Sequence, residues 1–176
     1  MSSSFRAEEK HELLILDTGP IREMVTFHAV EQYRFERLRG ELQLIKDPDS
    51  YVRCSKFMAS FMRKTTSASV VAELHYWIRN TEDRGQESLW NRVFGEFRDM
   101  GMDEEVVKLL EMASAGEMGL ASLARLGPVD ASLMGLARRH AKEGALVLTT
   151  DDPLCRECER AGLHASHLRE VTLMVR

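Results

Sequence analysis

Cysteine and long apolar runs are scarce in this chain. The three cysteines are too few, and odd in number, for a disulfide framework, so we expect the protein to reside in a reducing cytoplasm. The apolar runs are far shorter than a membrane span. The polar start MSSSFRAEEKHE has no apolar stretch of the kind a secretory signal needs. These absences argue against a secreted or membrane-spanning protein.

Aromatic residues are also few, and the chain has no large excess of charge of one sign. Only 7% of residues are aromatic, whereas hydrophobic residues make up 44% and Met occurs ten times, which predicts an aliphatic core. The formal net charge is −4, so no overall basic field indicates a nucleic-acid partner. The mild acidity does not exclude such a partner, because bound divalent metal would cancel the charge of an acidic site.

Apolar runs alternate with helical patterns along the chain. Strands are predicted at 13–16, 63–66, 100–102, 145–149 and 164–168. Helices are predicted at 29–45, 51–62, 86–97, 103–113, 120–126 and 153–161, with two more that begin at Ser67 and Pro128. The alternation predicts a parallel sheet covered by helices on both faces. We expect one domain over residues 13–176, preceded by a frayed tail of residues 1–12.

Four acidic residues stand where predicted strands and helices meet. They are Asp17 in LLILDTGP, Glu73 in TTSASVVAEL, Asp130 in GPVDASLMGLA and Asp151 in ALVLTTDDPL. Ligands of parallel α/β sheets bind at the carboxyl ends of the strands. Four carboxylates about 5 Å apart repel by roughly 3 kcal/mol per pair at an effective dielectric constant near 20, so gathering them calls for a cation. The expected cation is Mg²⁺ or Mn²⁺, because both prefer oxygen ligands.

Each acid taken alone also has an ordinary structural explanation. Asp17 could be a turn residue, and Glu73 could be a solvated side chain on a helix flank. Asp130 lies in the first turn of its predicted helix, where the helix dipole favours an anion. Within the pair Asp151-Asp152, the following proline suits the first helical position, so Asp152 is the expected N-cap. This assignment gives Asp151 no structural role, so Asp151 is the better candidate for function.

In these segments the chain resembles the PIN-domain ribonucleases, the nuclease fold of VapC-type toxins and of several RNA-processing factors. The matching segments are LLILDTGPI, TTSASVVAELHYWI, LGPVDASLMGLARRHAKEGALVLTTDDPL and AGLHASHL. They follow the family's order over nearly the whole chain. The third is the most specific, because Asp130 opens a helix and a later apolar strand ends in Thr149-x-Asp151, with Leu154 three residues further on.

The resemblance implies a PIN-like, three-layer α/β/α fold. Its central sheet would be mostly parallel with about five strands, and an extra helical segment would follow the first strand. The implied catalytic and metal-binding residues are Asp17, Glu73, Asp130 and Asp151. Thr18 and Thr149 match positions where the family often carries a hydroxyl beside the metal. Asp152, the expected N-cap, is a supporting residue next to Asp151.

The implied activity is metal-dependent hydrolysis of RNA phosphodiester bonds, by a water molecule whose pKa the metal lowers. Asp17 and Asp130 are the expected direct ligands of one or two Mg²⁺ or Mn²⁺ ions. Glu73 and Asp151 could ligate, bind through water or orient the nucleophile. The implied partners are single-stranded or structured RNA, an antitoxin-like protein as in toxin-type endoribonucleases, and a second copy of the chain.

The interval between Asp17 and Glu73 is longer than in the compact toxins of the family. It holds the extra helical segment, at about residues 29–62. Four basic residues in or just after that segment could contact a phosphate backbone or simply form a solvated helix face: Arg53, Lys56, Arg63 and Lys64.

Three other classes of protein fit part of the sequence. A catalytically inactive PIN-like module that binds RNA or a protein would share the fold, although the presence of all four acids argues for catalysis. Cys155-x-x-Cys158 followed by His164-x-x-His167 has the ligand types of a zinc site, although buried cysteines and ordinary strand histidines explain these residues too. A phosphoacceptor receiver domain would need an acidic pair after the first strand and a late lysine, and neither is found.

Overall fold

The central feature of the computed structural model is a five-stranded, all-parallel sheet. The model describes residues 12–33, 36–81, 101–109 and 120–174, and positions 91, 95, 98 and 99. The strands are β1 (Leu13–Leu16), β2 (Arg63–Ser67), β3 (Met102–Glu105), β4 (Ala145–Thr149) and β5 (His164–His167). Their order across the sheet is β3-β2-β1-β4-β5. The predicted parallel sheet of about five strands is confirmed.

Helices connect and follow these strands. Those described are α1 (Thr18–Tyr33), α2 (Pro48–Ala59), α3 (Ala68–Thr81), α4 (Leu120–Arg139), α5 (Asp152–Arg160) and α6 (Leu168–Leu173), with 3-10 turns at Glu36–Glu41 and Ala141–Glu143. Crossovers between parallel strands are right-handed as a rule, which places α1 and α3 on one face of the sheet and α4 and α5 on the other. The helix α1 contacts α3, and α4 contacts both α5 and α3. This arrangement is consistent with a three-layer α/β/α fold.

The middle of the sheet holds the core. Every residue of β1 and β4 is buried. Leu13 pairs with Arg63 on one side and with Ala145 on the other, so β1 is the central strand. The sequence of a strand that is covered on both faces is continuously apolar and does not alternate with polar residues. For this reason β1 and β4 could be predicted from the sequence. Each fully buried aliphatic side chain contributes roughly 1.5–3 kcal/mol to folding.

Two helix starts follow the expected capping chemistry. Asp47 precedes α2, and its carboxylate accepts from the Ser50 backbone N–H and hydroxyl, each at 2.8 Å. These hydrogen bonds lower the pKa of Asp47. Ser67 ends β2, and its hydroxyl accepts from the Val70 N–H at 3.3 Å, as a cap of α3 does. Polar side chains thus set where the chain changes from strand or loop to helix.

The first helix differs from its prediction. α1 begins at Thr18, directly after β1, and ends at Tyr33, where the prediction placed a helix over 29–45. A 3-10 turn at Glu36–Glu41 takes the place of the predicted continuation. Almost every residue from 18 to 30 is buried, so this part of α1 has no polar face from which a helical period could be recognised.

The segment before α4 also requires a correction. A helix was predicted at 103–113, but Met102–Glu105 is the edge strand β3, paired in parallel with β2. The strand predicted at 100–102 therefore lies slightly too early. The acidic residues of β3 do not favour a strand by propensity, and pairing with β2 decides the conformation. The helix predicted at 86–97 lies almost wholly outside the described residues.

The two helices predicted on either side of Gly127 are joined into α4 across a kink. Gly127 has φ 80° and ψ 169°, a conformation that favours glycine, and Pro128 follows it. At the other end of the chain, α6 was not predicted. The predicted tail, residues 1–12, lies outside the described residues except for Glu12. None of the helices described is long and apolar enough to cross a membrane.

Candidate functional site

The carboxyl ends of β1 and β4 meet at the middle of the sheet. Leu16 pairs with Leu148, and the backbone N–H of Asp17 donates to the Leu148 carbonyl at 3.1 Å. One residue further on, the Thr149 hydroxyl donates to Oδ2 of Asp17 at 2.6 Å. The first predicted acid and the loop that carries Asp151 are therefore joined across two neighbouring strands.

Asp17 is a buried carboxylate held by two close donors. It is 7% exposed, and its Oδ1 accepts from the Thr18 N–H at 2.6 Å while Oδ2 accepts from Thr149. Burial raises the pKa of Asp17, and the charges of Glu73 and Asp151 raise it further, against the lowering effect of the two hydrogen bonds. Neutral donors fix the orientation of the carboxylate, and its charged neighbours here are acids.

Glu73 reaches the same place from helix α3. It is exposed, and its carboxylate accepts a hydrogen bond from the Thr18 hydroxyl. Thr18 thus donates its hydroxyl to Glu73 and its backbone N–H to Asp17. On the other side of Asp17, the Thr149 hydroxyl accepts from the Asp151 backbone N–H at 2.9 Å. A continuous line of hydrogen bonds therefore connects Glu73, through Asp17, with the Asp151 loop.

The stretch of α4 that carries Asp130 is fastened to the end of β2. The hydroxyls of Ser132 and Ser67 lie 2.6 Å apart, and Ser132 Oγ also donates to the Val129 carbonyl at 2.7 Å. Both serines are buried. This contact holds the start of the second half of α4 near the carboxyl edge of the sheet, on the face opposite α1.

Electrostatics connects Asp130 with the other three acids. Burial raises the pKa of Asp130 to about 6, and the charges of Asp17, Asp151 and Glu73 all contribute in the same direction. Asp130 and Asp151 are both half-buried. The charges of Asp17, Asp151 and Glu73 therefore all act on Asp130, and those of Glu73 and Asp151 also act on Asp17. We refer to these four residues as the acidic group.

The acidic group suits a hard cation in its chemistry. Its carboxylates and the hydroxyls of Thr18 and Thr149 are oxygen donors, as Mg²⁺ and Mn²⁺ prefer. Burial raises the pKa of Asp17 and of Asp130, and the charges of neighbouring acids raise both further; a bound cation would offset both effects. In the described part of the chain, no three Asp, Glu, His or Cys side chains are grouped closely enough to hold a metal as they stand.

The roles predicted for Asp151 and Asp152 need one correction. Helix α5 begins at Asp152, so the N-cap position belongs to Asp151, whose side chain makes no capping hydrogen bond. Asp152 lies in the first turn, where the helix dipole favours it, with Oδ1 3.7 Å from Nε2 of His167. The prediction that Asp152 caps the helix is wrong.

His167 is a part of the site that the sequence did not reveal. Its Nε2 donates to the Thr150 carbonyl at 2.8 Å, and its Nδ1 accepts from the Arg169 N–H at 3.0 Å. His167 is 8% exposed and pairs with Thr149 in the sheet register. The imidazole therefore fastens the loop between Thr149 and Asp151 to the start of α6. A parallel pairing of β5 with β4 is the signal that would have located it.

The contacts of His167 also argue against a zinc site with Cys155, Cys158 and His164. Both ring nitrogens of His167 are already bonded to the backbone. Burial raises the pKa of each thiol, Cys155 and Cys158, to about 12. Within the described residues, no three His, Cys, Asp or Glu side chains are grouped closely enough to hold a metal ion. Ordinary packing accounts for these residues.

Of the basic residues considered for a phosphate backbone, Arg53 has a structural task. Its Nε donates to the Thr172 carbonyl at 2.7 Å, and its Nη2 donates to the Ser50 hydroxyl at 3.0 Å. These bonds hold α2 against α6, which it contacts. Lys56 lies exposed on α2.

Arg63 and Lys64 lie at the wrong end of the sheet to serve the acidic group. Arg63 pairs with Leu13, at the amino end of β1, and its Nη1 lies 2.7 Å from Oε2 of Glu143. Four residues of strand separate Leu13 from Asp17, a span of about 13 Å. Lys64 Nζ donates to the Phe61 carbonyl at 3.3 Å. These contacts favour the structural explanation of both residues.

The fold and the acidic group define a class, an α/β protein with carboxylates gathered at the carboxyl edge of a parallel sheet. Comparison with known families and proteins adds no assignment: no family model matches the chain, and no curated protein matches it. A function must therefore be argued from the residues of this chain.

Proposed function

We propose that this protein is a metal-dependent ribonuclease with a PIN-like fold, which hydrolyses RNA phosphodiester bonds. The observation that carries the proposal is the hydrogen-bonded line from Glu73 through Asp17 to the Asp151 loop, with Asp130 in the same electrostatic field. The motif resemblance supports it, because the same four acids occupy the family's acidic positions. An antitoxin-like protein and a second copy of the chain remain predicted partners.

The metal would be held by Asp17 and Asp130. A bound Mg²⁺ or Mn²⁺ ion supplies a Lewis acid that activates water and offsets the charge of the phosphate. Thr18 and Thr149 each donate to one oxygen of Asp17, and these bonds favour the ionised, ligating form of a buried carboxyl. The two hydrogen bonds thus orient this ligand and oppose the effect of burial, which raises its pKa.

Glu73 and Asp151 flank the two ligands and have different tasks. Glu73 is exposed and held by the Thr18 hydroxyl, so it can accept a proton from water at the solvent side of the site. The backbone N–H of Asp151 donates to the Thr149 hydroxyl, and its side chain makes no capping hydrogen bond. Its carboxylate is therefore available to orient water or to bind the metal through water.

Cleavage of a mixed-sequence single-stranded RNA pool tests the proposal. Wild type is incubated with Mn²⁺, Mg²⁺ or EDTA beside Asp130→Asn and a matched control, Asp49→Asn, which alters an exposed acid in the first turn of α2. We expect metal-dependent cutting that falls at least about a hundredfold in Asp130→Asn and persists in Asp49→Asn, as loss of a catalytic charge costs several kcal/mol. Cutting that survives in EDTA or in Asp130→Asn would contradict it.

A second candidate is a PIN-like module that binds RNA or a protein without cutting. Among the residues described, no three Asp, Glu, His or Cys side chains are grouped to hold a metal, and this favours the second function. Its signature would be RNA binding by wild type in Mn²⁺ with no cut ends. Retention of the binding in Asp130→Asn would then show that the acids are not required for it.

A further inference from the structure

A small polar cavity opens beside the acidic group, where the start of α1, the segment after the first 3-10 turn and the loop after β4 come together. Its volume is about 70 Å³, and its walls include Arg22, Thr26, Glu41, Gln43 and Thr150. One water needs roughly 10–15 Å³ by the same measure. The cavity therefore admits a group of several heavy atoms, such as one edge of a planar ring.

Two of the residues that line the cavity are close in sequence to members of the acidic group. Gly19, which lines it, follows Asp17 by two residues, and Thr150 lies between Thr149 and Asp151. A Cβ at Gly19 would lie 1.9 Å from Oγ1 of Thr150. The glycine thus allows α1 to approach this loop closely, and a ligand in the cavity would be a near neighbour of a phosphate at the acids.

An arginine and a carboxylate are held in place at the cavity wall. The guanidinium carbon of Arg22 lies 4.9 Å from the centroid of the Trp77 ring. The Trp77 Nε1–H donates to Oε2 of Glu41 at 2.9 Å, and Arg22 Nη2 donates to the same oxygen at 3.4 Å. The side chains of Arg22 and Glu41 remain 42% and 33% exposed. Both are therefore preorganised and still accessible to a ligand.

The wall is completed by a carboxylate that already has its donors. Glu23 is 7% exposed and accepts from three backbone N–H groups, those of Gln43, Leu44 and Ile45, at 2.8, 3.1 and 2.9 Å. Together with Glu41 it gives the cavity two carboxylates against the one guanidinium of Arg22. A phosphate would meet an excess of negative charge there, whereas a neutral ring with both donors and acceptors would be favoured.

We propose that this cavity is a base-recognition subsite, which holds the edge of a nucleobase next to the phosphodiester bond that is cut. The proposal rests on the ribonuclease function above. Guanine fits best, because its two adjacent N–H donors suit the Glu41 carboxylate and its O6 acceptor suits Arg22. Gln43, Thr26 and Thr150 add neutral groups that can donate or accept.

The ends of the RNA fragments test the subsite. A random pool is cut by wild type, Glu41→Gln, Gln43→Leu and the control Glu36→Gln, whose carboxylate contacts Arg39 on the same 3-10 turn. We expect guanine to be enriched at one fixed position from the cut in wild type and in the control. Glu41→Gln should reduce the enrichment roughly fivefold or more, the discrimination expected of one good base contact. Gln43→Leu, at an exposed position, should reduce it less.

The outcomes separate this inference from the ribonuclease itself. Cutting with no positional preference, or with a preference unchanged in Glu41→Gln, would overturn the subsite and leave the nuclease standing. If wild type does not cut, binding of short RNA oligonucleotides with and without guanine is measured in EDTA by fluorescence anisotropy. Preference for guanine that is lost in Glu41→Gln supports the subsite without cleavage, and equal or absent binding overturns it. Melting curves confirm that each variant is folded.

Discussion

The molecule has two groups of carboxylates that differ in the side chains they contact. Around His140, Glu105 lies 3.0 Å from both Arg139 and His140, and Glu143 lies 3.0 Å from His140 and 2.7 Å from Arg63. In the acidic group, the contacts to Asp17 and Glu73 come from threonine and backbone donors. Within the described part of the chain, Glu105 and Glu143 thus pair with basic side chains, whereas Asp17 and Glu73 accept from neutral donors.

The pKa values follow this difference. Burial raises the pKa of Glu105, but bonds and charge from His140 and Arg139 lower it more, and the hydrogen bond from His140 lowers the pKa of Glu143. The pKa values of Asp17 and Asp130 are raised. Carboxylates thus stabilise the fold around His140 and destabilise it in the acidic group. A group of acids that the fold leaves uncompensated is a candidate for function.

Among changes to uncharged side chains, the largest expected effect is a loss of activity on removal of the Thr149 hydroxyl. Thr149→Val removes the donor to Asp17 and the acceptor of the Asp151 N–H from a buried position. RNA cleavage should fall about 10- to 100-fold, because a ligand held less well loses orientation. Thr65→Val is the matched control, since Thr65 is a buried strand threonine that donates to the Asp103 carbonyl at 3.1 Å. Equal activity in both variants would remove Thr149 from the site.

Neutralising one acid from each group should change stability with opposite signs. Asp130→Asn should raise the free energy of unfolding in EDTA at pH 7 by roughly 1–2 kcal/mol, because a carboxyl with a raised pKa opposes folding when ionised. Glu105→Gln should lower it by up to about 1 kcal/mol, because it loses charged partners. Urea unfolding of the two variants measures both, and changes of the same sign would contradict the comparison.

A smaller effect is expected in the pH dependence of stability. Burial lowers the pKa of His140, but its bonds to Glu105 and Glu143 raise it above its ordinary value of 6.5. The stabilisation by protonated His140 is therefore complete below about pH 6.5 and is lost as pH rises through the folded-state pKa. The lowered pKa values of Glu105 and Glu143 make their share present above about pH 4.5 and lost as pH falls.

Thermal unfolding of wild type and His140→Gln from pH 5 to pH 8 checks this expectation. The melting temperature of wild type should fall more steeply with rising pH than that of the variant. Parallel curves would show that the His140 bonds contribute nothing that depends on protonation.

The sequence predicted some elements well for reasons visible in the structure. β1 and β4 are buried on both faces, so each is an uninterrupted apolar run that ends at a polar residue. α1 was misplaced because burial on nearly all sides erases its helical period. The strand predicted at 100–102 overlaps β3 only at Met102, because the pairing of β3 with β2 across the sheet, and not its own residues, decides its conformation.

The candidate site shows the same division. The junctions of predicted strands and helices located all four acids, and the motif resemblance added Thr18, Thr149 and the implied roles of the acids. The hydrogen bonds between these residues depend on the strand order, which puts β1 beside β4. His167 could not be assigned to the Thr150 carbonyl without knowing that β5 pairs with β4. Which residues hold a metal is a prediction from donor chemistry and charge.

The most direct test of the account is the effect of Mn²⁺ on thermal unfolding. At a concentration 100-fold above its dissociation constant, a ligand stabilises the folded state by about 2.7 kcal/mol, or roughly 5–10 °C for a chain of this size. We predict such a rise in wild type and in Glu105→Gln, and little or none in Asp130→Asn. No rise in wild type, or equal rises in all three proteins, would contradict the claim that the acidic group is a metal site.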